Sequence, residues 1–217
     1  MKLQTRLGLI VAVAGLLMGV SPAYAVYGHT EDPYYGRTTG YRPDSLILGD
    51  STTFHAEDTY RRAPFLYKGE LNGQSMRGAN EFGGLVQERL TNPAPLRTVV
   101  FALGTNGGSW LMKRSWLAHR INFLKARGVR KVVLVTPYRD PALWTHTAWQ
   151  GNESWRVAQL AKWERDIAAK RKGVCVAEWA GYAAQHRDQL VDGVHYDNDG
   201  EVAHVRLVTG ALASRCR

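Results

Sequence analysis

Four residues of this 217-residue chain would carry acyl-transfer chemistry if folding brought them together: Ser51, Asn106, Asp192 and His195. Ser51 ends the triplet Gly49-Asp50-Ser51, directly after the apolar run Ser45-Leu46-Ile47-Leu48. A serine at a strand-to-helix turn presents its hydroxyl at the edge of a sheet. It also keeps its own backbone N–H free at the helix start, so one residue supplies both a nucleophile and an oxyanion donor. The competing reading of Ser51 is a helix N-cap, a position that favours Asp and Ser. Asp192 and His195 lie three residues apart in Asp192-Gly193-Val194-His195. That spacing lets the carboxylate fold back onto the imidazole Nδ1–H and leaves Nε2 outward as a base. The alternative there is an Asp-Gly turn with a solvated histidine. Asn106, in Gly104-Thr105-Asn106-Gly107-Gly108, either points its amide at a developing oxyanion or is a plain turn residue.

The elements that must position these residues are legible from hydrophobic period. Buried strands are predicted at 45–48, Thr98–Leu103, Lys131–Val135 and Val174–Ala177, with a weaker one between Phe65 and Ser75. Helical patterns occupy Asn80–Leu90, Ser109–Arg127, Glu153–Arg171 and Asn198–Ser214. In the second, Trp110, Leu111, Leu117, Ile121 and Leu124 recur at steps of three to four with Lys and Arg between, which makes one buried stripe. Apolar strands alternating with amphipathic helices imply a parallel sheet covered on both faces, a three-layer α/β domain. Ligands of such sheets bind at the carboxyl ends of the strands, and each candidate residue lies at such an end or just before the final helix.

Ahead of this domain the sequence reads as an export signal over 1–25. Lys2 and Arg6 precede an apolar run from Leu7 to Val20 and the small-residue site Ala23-Tyr24-Ala25. The run is too short to cross a bilayer comfortably. Residues 26–43, rich in Tyr, Gly and Thr, form an extended lead-in, and the domain runs over 44–217. Export to an oxidising compartment would let Cys175 and Cys216, the two cysteines, form a disulfide. The formal charge is +9, and loss of Lys2 and Arg6 with the leader leaves +7. The matching acidic partners outside a cell are cell-wall polymers or anionic lipid headgroups; no nucleic-acid motif is present. A basic but unspecialised surface is the plainer alternative.

Together the motifs resemble, in order and spacing, the SGNH (GDSL-type) hydrolase superfamily over about residues 44–213. The first block matches Gly49-Asp50-Ser51, the third Gly104-Thr105-Asn106 and the last Asp192-Gly193-Val194-His195. The resemblance implies a flavodoxin-like three-layer α/β/α fold with a five-stranded parallel sheet ordered 2-1-3-4-5. It also implies Ser51 as nucleophile, His195 as base, Asp192 as orienting acid and Asn106 as oxyanion donor. Two departures stand out. The second-block glycine whose N–H completes the oxyanion hole falls on Met76 in Gly73-Gln74-Ser75-Met76, with Gly78 as the alternative, and the aspartate that often follows the third-block asparagine is Gly107. The Gly-Thr-Asn-Gly form, Val133–Pro137 and the Asp-Gly-Val-His block are most similar to the extracytoplasmic catalytic domains of peptidoglycan O-acetyltransferases. The expected activity is that of a free-standing secreted serine esterase, with O-acyl transfer to a wall glycan or a non-catalytic wall-binding module as alternatives.

Among other residues, Trp144 and Trp149 in a polar loop are candidates for stacking on sugar or holding an acyl chain, with packing as the plainer reading. Trp110, Trp116, Trp155 and Trp163 are expected in or partly in the core. Arg139 is a candidate for an anionic substrate group or a solvated surface arginine. His29, His55, His119, His146, His186 and His204 show no metal-ligand spacing, and neither Cys-x-x-Cys nor His-Glu-x-x-His occurs, so no metal and no cofactor are expected. The expected partner is an ester-bearing small molecule or acylated glycan, bound by a monomer.

Overall fold

A computed structural model describes residues 44–91, 95–106, 113–143 and 154–216. Five strands, β1 (Ser45–Gly49), β2 (Glu70–Gly73), β3 (Thr98–Ala102), β4 (Lys131–Val135) and β5 (Val174–Ala177), form one sheet in the order β2-β1-β3-β4-β5. Every pairing is parallel, with Ile47 opposite Leu71 and Val100, and Val133 opposite Val100 and Cys175. The expected strands are all present, and the weak one between 65 and 75 is the edge strand β2. Strand order 2-1-3-4-5 gathers the carboxyl ends of β1, β3 and β4 at the centre of one sheet edge.

Strand side chains alternate between two cores. Leu46, Leu48, Val99, Phe101, Val132, Leu134 and Val174 face one side. There they meet Phe82 and Val86 of α3 (Phe82–Thr91), Leu117, Ile121 and Leu124 of α4 (Arg114–Ala126), and Leu160 and Ile167 of α5 (Ser154–Ala168). Ile47, Val100, Val133, Val135 and Cys175 face the other side. They pack with Tyr60 of α2 (Glu57–Arg61), Trp179 and Ala183 of α6 (Trp179–Gln185), and Val205, Val208 and Ala211 of α7 (Asn198–Ala213). Each aliphatic side chain buried in this way contributes about 1.5–3 kcal/mol. The layers are therefore helix, sheet, helix.

Periodicity located four long helices to within a few residues, although residues 109–112 of the expected second one, including Trp110 and Leu111, lie outside the described residues. The short helices α1 (Ser51–His55), α2 and α6 have no such signal. Trp155 departs from expectation: it is 64% exposed. The buried face of α5 is Val157, Leu160, Ala161, Glu164, Ile167 and Ala168, and at 100° per residue Trp155 falls on the opposite face. Trp116 and Trp163 are half-buried against the core, as expected. Cys175 and Cys216 form the disulfide, with Cα atoms 5.1 Å apart, and tie β5 to the end of the chain. Nearby, the Lys131 ammonium donates to the carbonyls of Leu212 and Ser214 at the close of α7, where a cation suits the helix dipole. No helix among the described residues is long and apolar enough to cross a membrane.

Candidate active site

Strand β1 is followed by a buried carboxylate. Asp50 caps α1: its Oδ1 accepts from the Thr52 N–H at 3.1 Å and the Thr52 hydroxyl at 2.8 Å. Its Oδ2 accepts from the Thr105 N–H at 3.3 Å and from the Thr105 hydroxyl. The helix cap is therefore Asp50, and Ser51 is the first helical residue, whose N–H has no acceptor within the helix. The same carboxylate that starts α1 locks the loop after β3 against it, which fixes Asn106 relative to Ser51.

Asp192 and His195 sit in a turn closed by the antiparallel bridge of Leu190 with Tyr196 and by the Val191 N–H on the His195 carbonyl at 2.8 Å. Gly193 occupies φ +89°, a left-handed conformation that glycine reaches without a Cβ penalty. This lets Asp192 Oδ1 accept from the backbone N–H groups of Val194 at 2.9 Å and His195 at 2.8 Å, while Oδ2 meets His195 Nδ1 at 2.7 Å. On the far side of the ring, His195 Nε2 lies 2.8 Å from Ser51 Oγ, across 144 residues of sequence. Burial alone would raise the Asp192 carboxyl, but the His195 ring and the two N–H donors outweigh it and hold the carboxyl below its ordinary value. Asp192 thus stays ionised and can favour the imidazole tautomer that carries its proton on Nδ1.

Asn106 is buried, and its Nδ2 donates to the Arg77 carbonyl at 3.2 Å. That bond ties the Asn106 amide to the second-block loop and fixes its orientation relative to Ser51. In that loop Met76 adopts φ +62°, whereas Gly78 has φ −86°, so the methionine at the expected glycine position holds the conformation glycine would favour.

Residues around this site make contacts that no local motif announced. Arg139, in the loop after β4, is 4% exposed and donates to the Thr105 carbonyl, so it braces the third-block loop and is not a solvated surface arginine. Asp140 donates its N–H to the Gly193 carbonyl at 2.8 Å and pairs through its carboxylate with Arg187, linking the loop after β4 to the histidine turn. The His55 ring stands edge-on to His195 with centroids 5.4 Å apart. A cleft of about 560 Å³ opens beside this edge, lined by Pro137, Tyr138, Arg139, Pro141, Trp155 and Ala161 among others. Trp144, Trp149 and Gly107 lie outside the described residues. No group of three or more His, Cys, Asp or Glu among the described residues is arranged to hold a metal.

No family model matches the sequence, and no curated protein sequence matches it either. Solved structures do. The C-terminal catalytic domain of peptidoglycan O-acetyltransferase A from Streptococcus pneumoniae, determined with a methylsulfonyl adduct, is 20% identical with a TM-score of 0.61; the alignment covers 80% of this chain and 94% of that one. A GDSL-like lipase from Bacteroides thetaiotaomicron is 16% identical with a TM-score of 0.58, over 77% of this chain and 86% of that one. The acetylxylan esterase Axe2 from Geobacillus stearothermophilus is 13% identical with a TM-score of 0.57, over 79% and 94%. With its 2-1-3-4-5 parallel sheet between two helical layers, the chain has the fold of the SGNH (GDSL-type) hydrolases.

Proposed function

We propose that the protein is a serine esterase that hydrolyses carboxylic esters through an acyl-enzyme on Ser51. The observation that carries this reading is the continuous hydrogen-bonded chain from Asp192 through His195 to Ser51, at 2.7 and 2.8 Å. In the first step His195 Nε2 takes the hydroxyl proton as Ser51 Oγ bonds to the ester carbonyl carbon. The carbonyl π pair moves onto oxygen, which meets the N–H groups of Ser51 and Met76 and the Asn106 amide. Collapse re-forms the carbonyl and breaks the bond to the alkoxide, which leaves with the proton from His195. Water then repeats the sequence, releasing the acid and restoring the serine. Asp192 stabilises the imidazolium in both halves without taking the proton.

The neighbours named as an acetylxylan esterase and a peptidoglycan O-acetyltransferase domain support O-acetyl groups on a glycan as the substrate class. The cleft at the carboxyl end of β4 supports this class, because the exposed Trp155 indole on its wall can stack on a sugar. The signal-like pattern of residues 1–25, which lie outside the described residues, and the disulfide support an exported, wall-associated protein, and the basic charge supports contact with anionic wall polymer. The acetyltransferase neighbour favours one second reading: the acyl-enzyme passes its acetyl group to a glycan hydroxyl instead of water. Incubation with p-nitrophenyl acetate tests the main reading: release of nitrophenolate that disappears in Ser51→Ala supports it, and equal rates in both proteins defeat it. Acetylated glycan on adding an oligosaccharide acceptor would assign transfer.

A further inference from the structure

Buried beneath the second-block loop is a guanidinium that the acyl-transfer chemistry does not itself use. Arg77 is 2% exposed, and its side chain donates to acceptors on three segments. These are the Gly49 carbonyl at 3.0 Å, the Asn72 carbonyl and side-chain oxygen (the latter at 2.9 Å), and Gln74 Oε1 at 2.9 Å. Gly49 ends β1 two residues before Ser51, Asn72 lies in β2, and Gln74 opens the loop that carries Met76. The backbone of the same residue completes the circuit, because the Arg77 carbonyl accepts from Asn106 Nδ2.

Met76 needs such a restraint. A non-glycine residue at positive φ costs about 1–3 kcal/mol and persists only where its surroundings over-determine it. Its own side chain is 53% exposed, so packing of that side chain does not supply the restraint. The adjacent guanidinium, bonded on both sides of the loop, does. Burial draws the Arg77 proton affinity down, with Glu81 and Asp50 acting the other way, and a guanidinium stays charged even so.

From this geometry we infer that Arg77 is a positioning residue that preorganises the oxyanion hole, clamping Met76 in its left-handed conformation and orienting the Asn106 amide. The inference rests on the esterase reading above and deepens it. Loss of the clamp displaces donors that matter in the transition state more than in the bound substrate, so the effect falls on kcat, not KM.

The experiment compares wild type, Arg77→Lys and Arg77→Ala in p-nitrophenyl acetate hydrolysis, with circular dichroism to establish folding. Arg77→Lys keeps the charge but not the fork, and its kcat is expected to fall about 10²-fold, the size of effect that follows misplacement by about 1 Å. KM is expected to change little, the pH profile to keep its shape, and millimolar guanidinium to restore part of the Arg77→Ala activity. Should Arg77→Ala fail to fold, Asn72→Ala, which strips one acceptor at a half-buried site, is expected to lower kcat in the same sense. A wild-type kcat in Arg77→Lys overturns the inference, as does a loss confined to KM. A wild type that neither turns over ester nor labels at Ser51 fails at the earlier step and takes the esterase reading with it.

Discussion

Replacing Asp192 by Asn tests the proton-transfer chain through a single atom. The carboxylate accepts three hydrogen bonds: two backbone N–H groups on Oδ1 and the His195 Nδ1–H on Oδ2 at 2.7 Å. An asparagine can keep its carbonyl oxygen on the two N–H groups, so the turn holds its shape. Its amide NH2 then faces Nδ1 and donates where the carboxylate accepted. The imidazole must shift its proton to Nε2, which places a donor 2.8 Å from Ser51 Oγ, where the chemistry needs an acceptor. In the serine protease template the same exchange lowers kcat about 10⁴-fold, which is about 5.5 kcal/mol at 1.36 kcal/mol per decade. We expect a loss of that order in Asp192→Asn at neutral pH, with thermal stability near wild type because two of the three hydrogen bonds survive. The assay is p-nitrophenyl acetate hydrolysis from pH 5 to 10, paired with the rate of fluorophosphonate labelling, which requires the same activated serine. A loss below about tenfold in both would refute the assignment of Asp192 as the group that sets the imidazole tautomer.

Three further outcomes concern stability. The Cys175–Cys216 disulfide closes a loop across 41 residues, so Cys216→Ser is expected to destabilise by roughly 4 kcal/mol in the chain-entropy treatment, measurable by urea unfolding; a change under about 1 kcal/mol would contradict it. His204 is fully buried, and desolvation lowers its pKa to about 3, so its neutral form contributes stability above pH 6.5. That contribution falls by about 1.4 kcal/mol per pH unit between 6.5 and about 3, and His204→Phe should flatten this acid limb in a pH series of unfolding curves. Glu164 is buried with neither carboxyl oxygen hydrogen-bonded, and burial pushes its carboxyl well above the ordinary range. Its cost is absent below its ordinary value of about 4.5 and grows as pH rises above it, so Glu164→Met is expected to stabilise by about 1–3 kcal/mol at pH 7; destabilisation would contradict this.

Most of the sheet was legible because β1, β3, β4 and β5 are buried on both faces and read as near-continuous apolar runs, whereas the edge strand β2, Glu70–Gly73, alternates buried and half-buried residues and gave only a weak signal. The long helices were legible from a single apolar stripe. What failed was what period does not encode. Trp155 sits inside a helical pattern, yet half a turn of phase puts it outside, and α1, α2 and α6 are too short to show a period. At the site, Ser51, Asp192, His195 and Asn106 stood out because each belongs to a short motif with its own backbone requirement. Met76 was legible as the place where a glycine was missing, and its φ of +62° meets the requirement that glycine would have met. The supporting shell left no local trace. Asp50 reaches Thr105 across 55 positions, Arg77 reaches Gly49 across 28, and Arg139 reaches Thr105 across 34, contacts that only the assembled sheet edge creates.

Whether Ser51 is an activated nucleophile can be read directly by intact-mass and peptide mass spectrometry after exposure to a fluorophosphonate. The account predicts one phosphonyl group per chain, located on Ser51, absent from Ser51→Ala and strongly slowed in His195→Ala. A folded wild-type protein that takes up no label, or takes it up elsewhere, would contradict it.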